Sequence, residues 1–276
     1  MAGTKIVVLY HADCEDGLGG AWVAHSKFGD KASYIPVKYG FPPPNVKDKA
    51  VYMIDFTYSE SVMADIVKDA VRVISIDHHI SVKRLCESLD DHLFSIKHSG
   101  AVLAFKYFYP DRKMPLILRY IEDIDLWKFS MRDSDKFSGF IRSIPYDLKS
   151  FNKLARNFED PIKRRGYMKE GLLILRYNNS IIEYLISNGS EVLFEKKRAF
   201  AVNSPVLNSE IGGEILKRGY PVAIIWAAYG RYVKISLRSG RKVDVSKIAS
   251  RYGGGGHHSA SGFELPLNKK FPWKKL

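Results

Sequence analysis

With 276 residues, 46% of them hydrophobic and 26% charged, the chain has a globular composition and the length for one large domain or two ordinary ones. Lys and Arg number 43 against 30 Asp and Glu, and the resulting net charge of +13 favours anionic partners such as nucleic acid, nucleotides or polyphosphate. No apolar stretch approaches the roughly 20 residues that cross a bilayer, so no membrane partner is expected. Cys14 and Cys86 make neither a disulfide framework nor a C-x-x-C zinc pattern and read as reduced thiols. The opening MAGTKIVVLYHAD enters a strand-like run almost at once and leaves no room for a signal or transit peptide, so cytoplasmic residence is expected.

The first strand-like run, KIVVLY (5–10), leads into HADCEDGLGG, and AWVAHSKFG then reads as a helix ending at Gly29. SYIPVKYG is a second run, broken by FPPPN. AVYMID (50–55) ends in Asp55 and is followed by YSESVMADIVKDA, which has helical spacing. VRVISID then ends in Asp77, His78 and His79. Strands alternating with helical segments argue for βαβ units and an α/β domain with a largely parallel sheet flanked by helices. In such sheets ligands bind beyond the carboxyl ends of the strands. The polar clusters around His11, Asp55 and His78 all sit there, so they share one edge of one sheet.

From about Ser99 to Tyr184 the pattern is helical, through AVLAFKYFY, MPLILRYIEDIDLWKF and KEGLLILRYNNSIIEYL. SNGSE (187–191) reads as a hinge. Beyond it VLFEKKRAFAV, PVAIIWAAY and RYVKISLRS read as strands of a smaller α/β domain, with EIGGEILKRG and DVSKIASRYG as its helices. The expected organisation is a metal-binding domain over 1–186, a linker over 187–195 and a substrate-binding domain over 196–276, with a cleft between the domains.

His11, Asp13, Glu15, Asp16, Asp55, Asp77, His78 and His79 are candidate ligands on the sheet edge, and Asp123 and Asp125 lie further on in YIEDIDLW. Carboxylates converging on one place repel one another unless cations compensate them. Mixed Asp and His ligation suits Mn²⁺, Mg²⁺ or a related divalent ion. Two such ions roughly 3.5–4 Å apart can hold a phosphoryl oxygen and activate water, which gives the cluster sense as a phosphoester hydrolysis site. A lone Asp at a strand end is more often a cap or turn former, and a lone His is usually just a hydrogen-bonded side chain; the case rests on several clusters sharing one edge.

The triplet Asp77-His78-His79, with an upstream His/Asp/Gly segment and a strand-terminal Asp between them, resembles the DHH phosphoesterase superfamily. The later RYGGGGHHSASGFEL resembles the GGGH-x-x-A-A-G signature of its DHH-associated substrate domain. The likeness is to members of the RecJ-like exonuclease and nanoRNase type and covers nearly the whole chain. It implies a two-metal centre, most simply of Mn²⁺, with Mg²⁺ or Co²⁺ as alternatives. His11, Asp13 and Asp16 would supply the first motif, Asp55 would bridge the ions, His78 would ligate and Asp125 would complete the ligands of the second ion. His79 would face the scissile phosphate, and Asp77 would orient the imidazoles. The first motif departs from the family's H-x-D-x-D-G and H-x-x-x-D-x-D spacings, leaving Glu15 as a rival to Asp13, and Asp123 rivals Asp125.

On the substrate side, Gly254, Gly255 and Gly256 would let a phosphate or base approach the backbone, and His257 would hold the phosphate or sugar edge. Arg238 in KISLRSG resembles an arginine that family exonucleases set on substrate phosphate, a task suited to a guanidinium fork. Arg142 is a weaker candidate of the same kind, and Ser99 reads as a helix cap before it reads as a phosphate ligand. The tail NKKFPWKKL reads first as a solvated tail, and second as added phosphate contacts and stacking surface. The expected partner is short single-stranded RNA or DNA, or a small nucleotide. The expected reaction is metal-dependent hydrolysis of oligonucleotides to nucleoside monophosphates. Its rivals are a phosphatase or cyclic-dinucleotide phosphodiesterase on the same site, a pyrophosphatase or exopolyphosphatase, and a nucleic-acid-binding protein with a degenerate metal site.

Overall fold

The computed structural model of the protein describes residues 5–276, which form two compact units that divide between Leu175 and Arg176. In the first unit, β1 (Ile6–His11), β2 (Ala32–Val37), β3 (Ala50–Ile54), β4 (Arg72–Asp77) and β5 (Asp91–Phe94) make one sheet in the order β2-β1-β3-β4-β5. Every pairing in it is parallel. Helices α1 (Glu15–Phe28), α2 (Glu60–Asp69) and α3 (Lys83–Glu87) make the crossovers β1 to β2, β3 to β4 and β4 to β5. The short β5 follows no alternating pattern and is not legible as a strand in the sequence.

Both faces of this sheet are covered, which is why its strands read as continuous apolar runs rather than alternating ones. Along β1, Val8 and Tyr10 pack into one core with Leu18, Ala101 and Leu118, whereas Val7 and Leu9 pack into another with Met53, Met63 and Ile66. Side chains of the Leu or Val size buried in this way stabilise the fold by about 1.5–3 kcal/mol each. The first of these cores is roofed by α1 together with α4 (Gly100–Phe108), α5 (Leu116–Asp125), α6 (Ser134–Ile141) and α7 (Leu148–Phe158). Strand order reverses between β1 and β3, because the chain moves outward from β1 to β2 and returns on the other side. In open α/β sheets this reversal opens a crevice at the strand C-termini.

Helix α8 (Pro161–Ser187) carries the chain from one unit into the other, with the division inside it. Of the segment expected as linker, Ser190–Phe194 is strand β6. The second unit adds β7 (Lys197–Asn203), α9 (Asn208–Lys217), β8 (Val222–Tyr229), β9 (Tyr232–Ser239), α10 (Val245–Arg251), β10 (Gly255–His257), β11 (Ala260–Pro266) and β12 (Trp273–Lys275). They form a seven-stranded mixed sheet in the order β10-β11-β9-β8-β7-β6-β12, in which only β7 and β8 run parallel. The final residues differ from a solvated tail: β12 pairs with β6, and Trp273 stacks on Phe271 at 4.6 Å. The tail's two aromatic rings supply what its lysines hide in the sequence, an apolar contact that holds an edge strand. Among the described residues no helix is long and apolar enough to cross a membrane.

Candidate metal centre

At the reversal point the C-terminal ends of three adjacent strands deliver the polar side chains. β1 ends in His11, β4 ends in Asp77 with His78 and His79 beyond it, and Asp55 follows β3. Asp55 has φ +57, a left-handed conformation that an Asp tolerates better than a β-branched residue, and its N–H still donates to Ile76 O at 2.9 Å. Two helix starts close the edge. Gly17 lets α1 come down on β1, since a Cβ there would lie 2.2 Å from His11 O. Gly100 does the same for α4, where a Cβ would lie 2.6 Å from the Asp55 Cβ.

Asp55 is the hub. Its Oδ2 lies 3.5 Å from His11 Nδ1 and 3.6 Å from Cys14 Sγ, while its Oδ1 lies 3.2 Å from His78 Nε2 and 3.7 Å from His79 Nδ1. His78 Nε2 also faces Asp125 Oδ2 at 3.7 Å and Asp16 Oδ2 at 3.9 Å. Among the described residues three sets of donors each lie within 4.8 Å of one another: His11, Cys14 and Asp55; Asp55, His78 and His79; Asp16, His78 and Asp125. Asp55 and His78 each belong to two sets. That is the arrangement expected where two ions share ligands.

The electrostatics agree with a place built for cations. Burial and the neighbouring Asp55 charge push the Asp16 carboxyl up to about 6, and burial with Asp16 pushes Asp125 well above the usual carboxylate range. Burial favours a neutral His78, but its bond to Asp55 and the charges of Asp16, Asp55 and Asp125 outweigh that and push the imidazole up to about 10. Burial would also raise Asp55, yet the bonds from His11 and His78 hold it well below its ordinary value. Without a metal, protons on imidazole and carboxyl balance the charge that divalent ions would balance. The mixed nitrogen and oxygen donors fit such ions.

Asp77 is fully buried, and both of its oxygens are committed. Oδ1 accepts from the His78 and His79 backbone N–H groups at 2.7 and 2.9 Å and lies 2.7 Å from His79 Nδ1, while Oδ2 accepts from Thr57 Oγ1 at 2.7 Å. Its carboxylate therefore holds the His79 ring through Nδ1 and the backbone of both histidines. Asp16 is anchored by the first N–H groups of α4, from Gly100 at 2.5 Å and Ala101 at 2.9 Å, whose orphan donors and dipole favour an anion there.

The geometry separates the candidates of both motifs. Asp125 is in the cluster. Asp123 instead accepts from Ser130 N, Ser130 Oγ and Met131 N, which outweigh its burial and hold its carboxyl below the ordinary range. Neither Asp13 nor Glu15 is among the three donor sets. Asp13, at φ +53 with its side chain 71% exposed, pairs with Lys38, and Glu15 accepts from Arg142 Nε at 2.9 Å. The donor beside His11 and Asp55 is Cys14, which in the sequence reads as a plain thiol. A signal was available: counting back from Asp16-Gly17, the first position of a D-x-D-G pattern falls on Cys14. Arg142 thus has a structural partner, and Ser99 caps α4 by accepting from Val102 N at 3.4 Å.

In the second unit, β9, β11 and β10 place Arg238 opposite Ala260 and Ala260 opposite His257, so the arginine and the histidine share one row of the sheet. At ordinary strand spacing they stand about 10 Å apart. Arg238 donates to Leu237 O at 2.9 Å and Ser209 Oγ at 3.0 Å, and burial lowers its guanidinium from the usual value. The glycines divide by role. A Cβ on Gly254 would lie 2.1 Å from Gly262 O, and Gly256, at φ +135, would meet Ala260 O at 2.6 Å. Gly255 faces open space. His257 follows Gly256, and its carbonyl accepts from Ser261 Oγ at 2.6 Å.

Residues 205–272 match the family model of the DHHA1 domain. An uncharacterized protein of Acanthamoeba polyphaga mimivirus is 28% identical over 299 residues, covering 98% of this chain and 70% of that protein. A pGpG-specific phosphodiesterase from Vibrio cholerae superposes with a TM-score of 0.53 at 12% identity, covering 95% of this chain and 93% of that one. RecJ from Thermus thermophilus, solved with Mn²⁺, superposes with a TM-score of 0.55 at 15% identity, covering 94% of this chain and 49% of that one. At such identities these two solved structures show a common fold.

Proposed function

We propose that the chain is a phosphoesterase of the DHH superfamily, a divalent-metal-dependent phosphodiesterase that cuts short single-stranded oligonucleotides to nucleoside monophosphates. The DHHA1 match over residues 205–272 and the fold shared with the two solved structures support the reading. One observation carries the reading: overlapping donor sets that share Asp55 and His78 at the reversal point of a parallel sheet. His11, Asp55, His78, Asp16 and Asp125 would hold the ions. Divalent ions bound there supply compensation for the charge on phosphoryl oxygens and make water acidic enough to react at neutral pH. Asp77 keeps the His79 ring fixed through Nδ1, so that the ring can place a hydrogen bond on substrate phosphate or on the leaving oxygen.

Three further features favour a nucleotide-bearing substrate over pyrophosphate. The chain carries a net charge of +13. A hollow of about 460 Å³ adjoins the metal edge at Ala12 and Asp13, lined by Phe41, Pro42, Lys38 and Tyr58, whose buried hydroxyl has no partner among the described residues. That volume and lining suit a base. In the second unit, Arg238 and His257 share a row beside the exposed backbone of Gly255, which suits a phosphate and sugar.

The test is hydrolysis of a 5′-labelled RNA pentamer with Mn²⁺, run beside a linear dinucleotide, a cyclic dinucleotide, 3′-phosphoadenosine 5′-phosphate and pyrophosphate. Stepwise release of monophosphates from the pentamer is the expected result. Turnover confined to the cyclic dinucleotide or the phosphoadenosine would move the assignment to a phosphodiesterase or phosphatase of that small nucleotide. Turnover of none would leave a binding protein.

A further inference from the structure

The donor sets at the sheet edge are chemically unequal. Asp16, His78 and Asp125 offer two carboxylates and an imidazole, whereas His11, Cys14 and Asp55 offer a sulfur, an imidazole and one carboxylate. The nearby acids that could have made the second set as hard as the first point elsewhere, Asp13 to Lys38 and Glu15 to Arg142. Cys14 is held where it is by the fold. It is the N-cap of α1, with extended φ −133 and ψ 134, and its carbonyl accepts from Leu18 N at 3.0 Å. The close approach of Gly17 to His11 seats that helix start against β1, which leaves Cys14 Sγ 3.6 Å from Asp55 Oδ2.

We propose that Cys14 is a metal ligand and that the two sites of the centre are tuned to different ions. His11, the Cys14 thiolate and Asp55 take a thiophilic divalent ion such as Zn²⁺, Co²⁺ or Fe²⁺, and Asp16, His78 and Asp125 take a harder ion such as Mn²⁺ or Mg²⁺. Thiolate favours borderline and soft ions, while carboxylate-rich sets accept hard ones. No electrons move in the binding step. The sulfur–metal bond forms as the thiol proton leaves to solvent. The inference rests on reading the edge as a metal centre and deepens it, because it names which ion each half selects.

Cobalt reports sulfur ligation directly, through a thiolate-to-metal charge-transfer absorption in the near ultraviolet. The full chain is stripped with chelator and titrated with Co²⁺, following that band together with bound metal by equilibrium dialysis. The expected result is a band that saturates with the first equivalent, is lost in Cys14→Ser and Cys14→Asp, and persists in Asp13→Ala and Cys86→Ser. Cys14→Asp retains a donor, so continued cobalt uptake without the band separates loss of sulfur from loss of fold. Zn²⁺ affinity is expected to fall in Cys14→Ser by at least the roughly 10–100-fold that losses outside the ligand shell already cost, with Mg²⁺ affinity unchanged. A band that survives Cys14→Ser, or that disappears in Asp13→Ala, overturns the assignment. Two equivalents of cobalt bound by the wild-type chain without the band would overturn the Cys14 role and spare the metal centre. No cobalt bound at all would overturn both.

Discussion

The two units use charge in opposite ways. In the first, the ends of parallel strands bring Asp55 and His78 together with Asp16 at the start of α1 and Asp125 at the end of α5. Burial and mutual charge raise Asp16 and Asp125, the carboxylates raise His78 against its burial, and the imidazoles hold Asp55 low. In the second, the singled-out Arg238 is bonded to Leu237 and Ser209, and Gly254 and Gly256 serve the close approach of backbone to backbone. The difference follows from topology. Parallel strands all end on one edge and concentrate side chains there, whereas antiparallel hairpins spread them along rows. The buried titratable groups therefore gather at the edge of the first sheet, while the second presents its polar side chains in rows.

The largest effect expected on that contrast is at the hub. Asp55→Asn should lower kcat/KM by about 10³-fold, on the order of 4 kcal/mol, and should cut the metal bound in equilibrium dialysis. Full activity in that variant would remove the first unit from the chemistry. The glycine run tests the second unit: Gly254→Ala should lose about 1–3 kcal/mol in denaturant unfolding, because its Cβ meets the Gly262 carbonyl. Gly255→Ala, facing open space, should unfold within about 0.5 kcal/mol of wild type while raising KM. Equal stability losses at both would mean that the run is structural throughout. Arg238→Lys, which keeps the charge but loses the fork, should raise KM for a dinucleotide about tenfold, near 1.4 kcal/mol, with kcat little changed.

The subtlest test is the pH dependence of stability in the metal-free chain. His78 binds its proton more tightly when folded, at about 10 against the ordinary 6.5, so its contribution is complete below 6.5 and is lost as pH rises through 10. Asp16, at about 6 against 3.8, has the same sign: its contribution is complete below 3.8 and lost as pH rises through 6. Asp55, held low, works the other way only at the acid end. The Tm of the metal-free chain should therefore fall as pH rises from 6.5 to 10, and His78→Gln should flatten that slope. A slope unchanged in the variant would show that His78 is not the group responsible.

Much of this was legible in the residues. Runs such as KIVVLY and VRVISID are apolar on both faces because both faces are buried, and their polar endings mark where the chain leaves the core. Alternation with helical segments implied a parallel sheet, and a parallel sheet places His11, Asp55 and His78 on a common edge. The four-residue β5 and the tail strand β12 carry no strand pattern of their own, since each is stabilised by pairing with a neighbouring strand, β4 and β6 respectively.

By itself the sequence determined which residues could meet, because strand periodicity and strand ends are local properties of the chain. Which of them do meet was decided by the tertiary structure. Asp13, Cys14, Glu15 and Asp16 are neighbours in sequence, yet the φ +53 turn at Asp13 and the start of α1 at Glu15 send their side chains to Lys38, Asp55, Arg142 and the α4 N-terminus respectively. Asp123 and Asp125 separate in the same way, one to the Ser130–Met131 backbone and the other to His78. Positions one or two apart at a helix end point in different directions, and what each one reaches depends on elements packed from elsewhere in the chain.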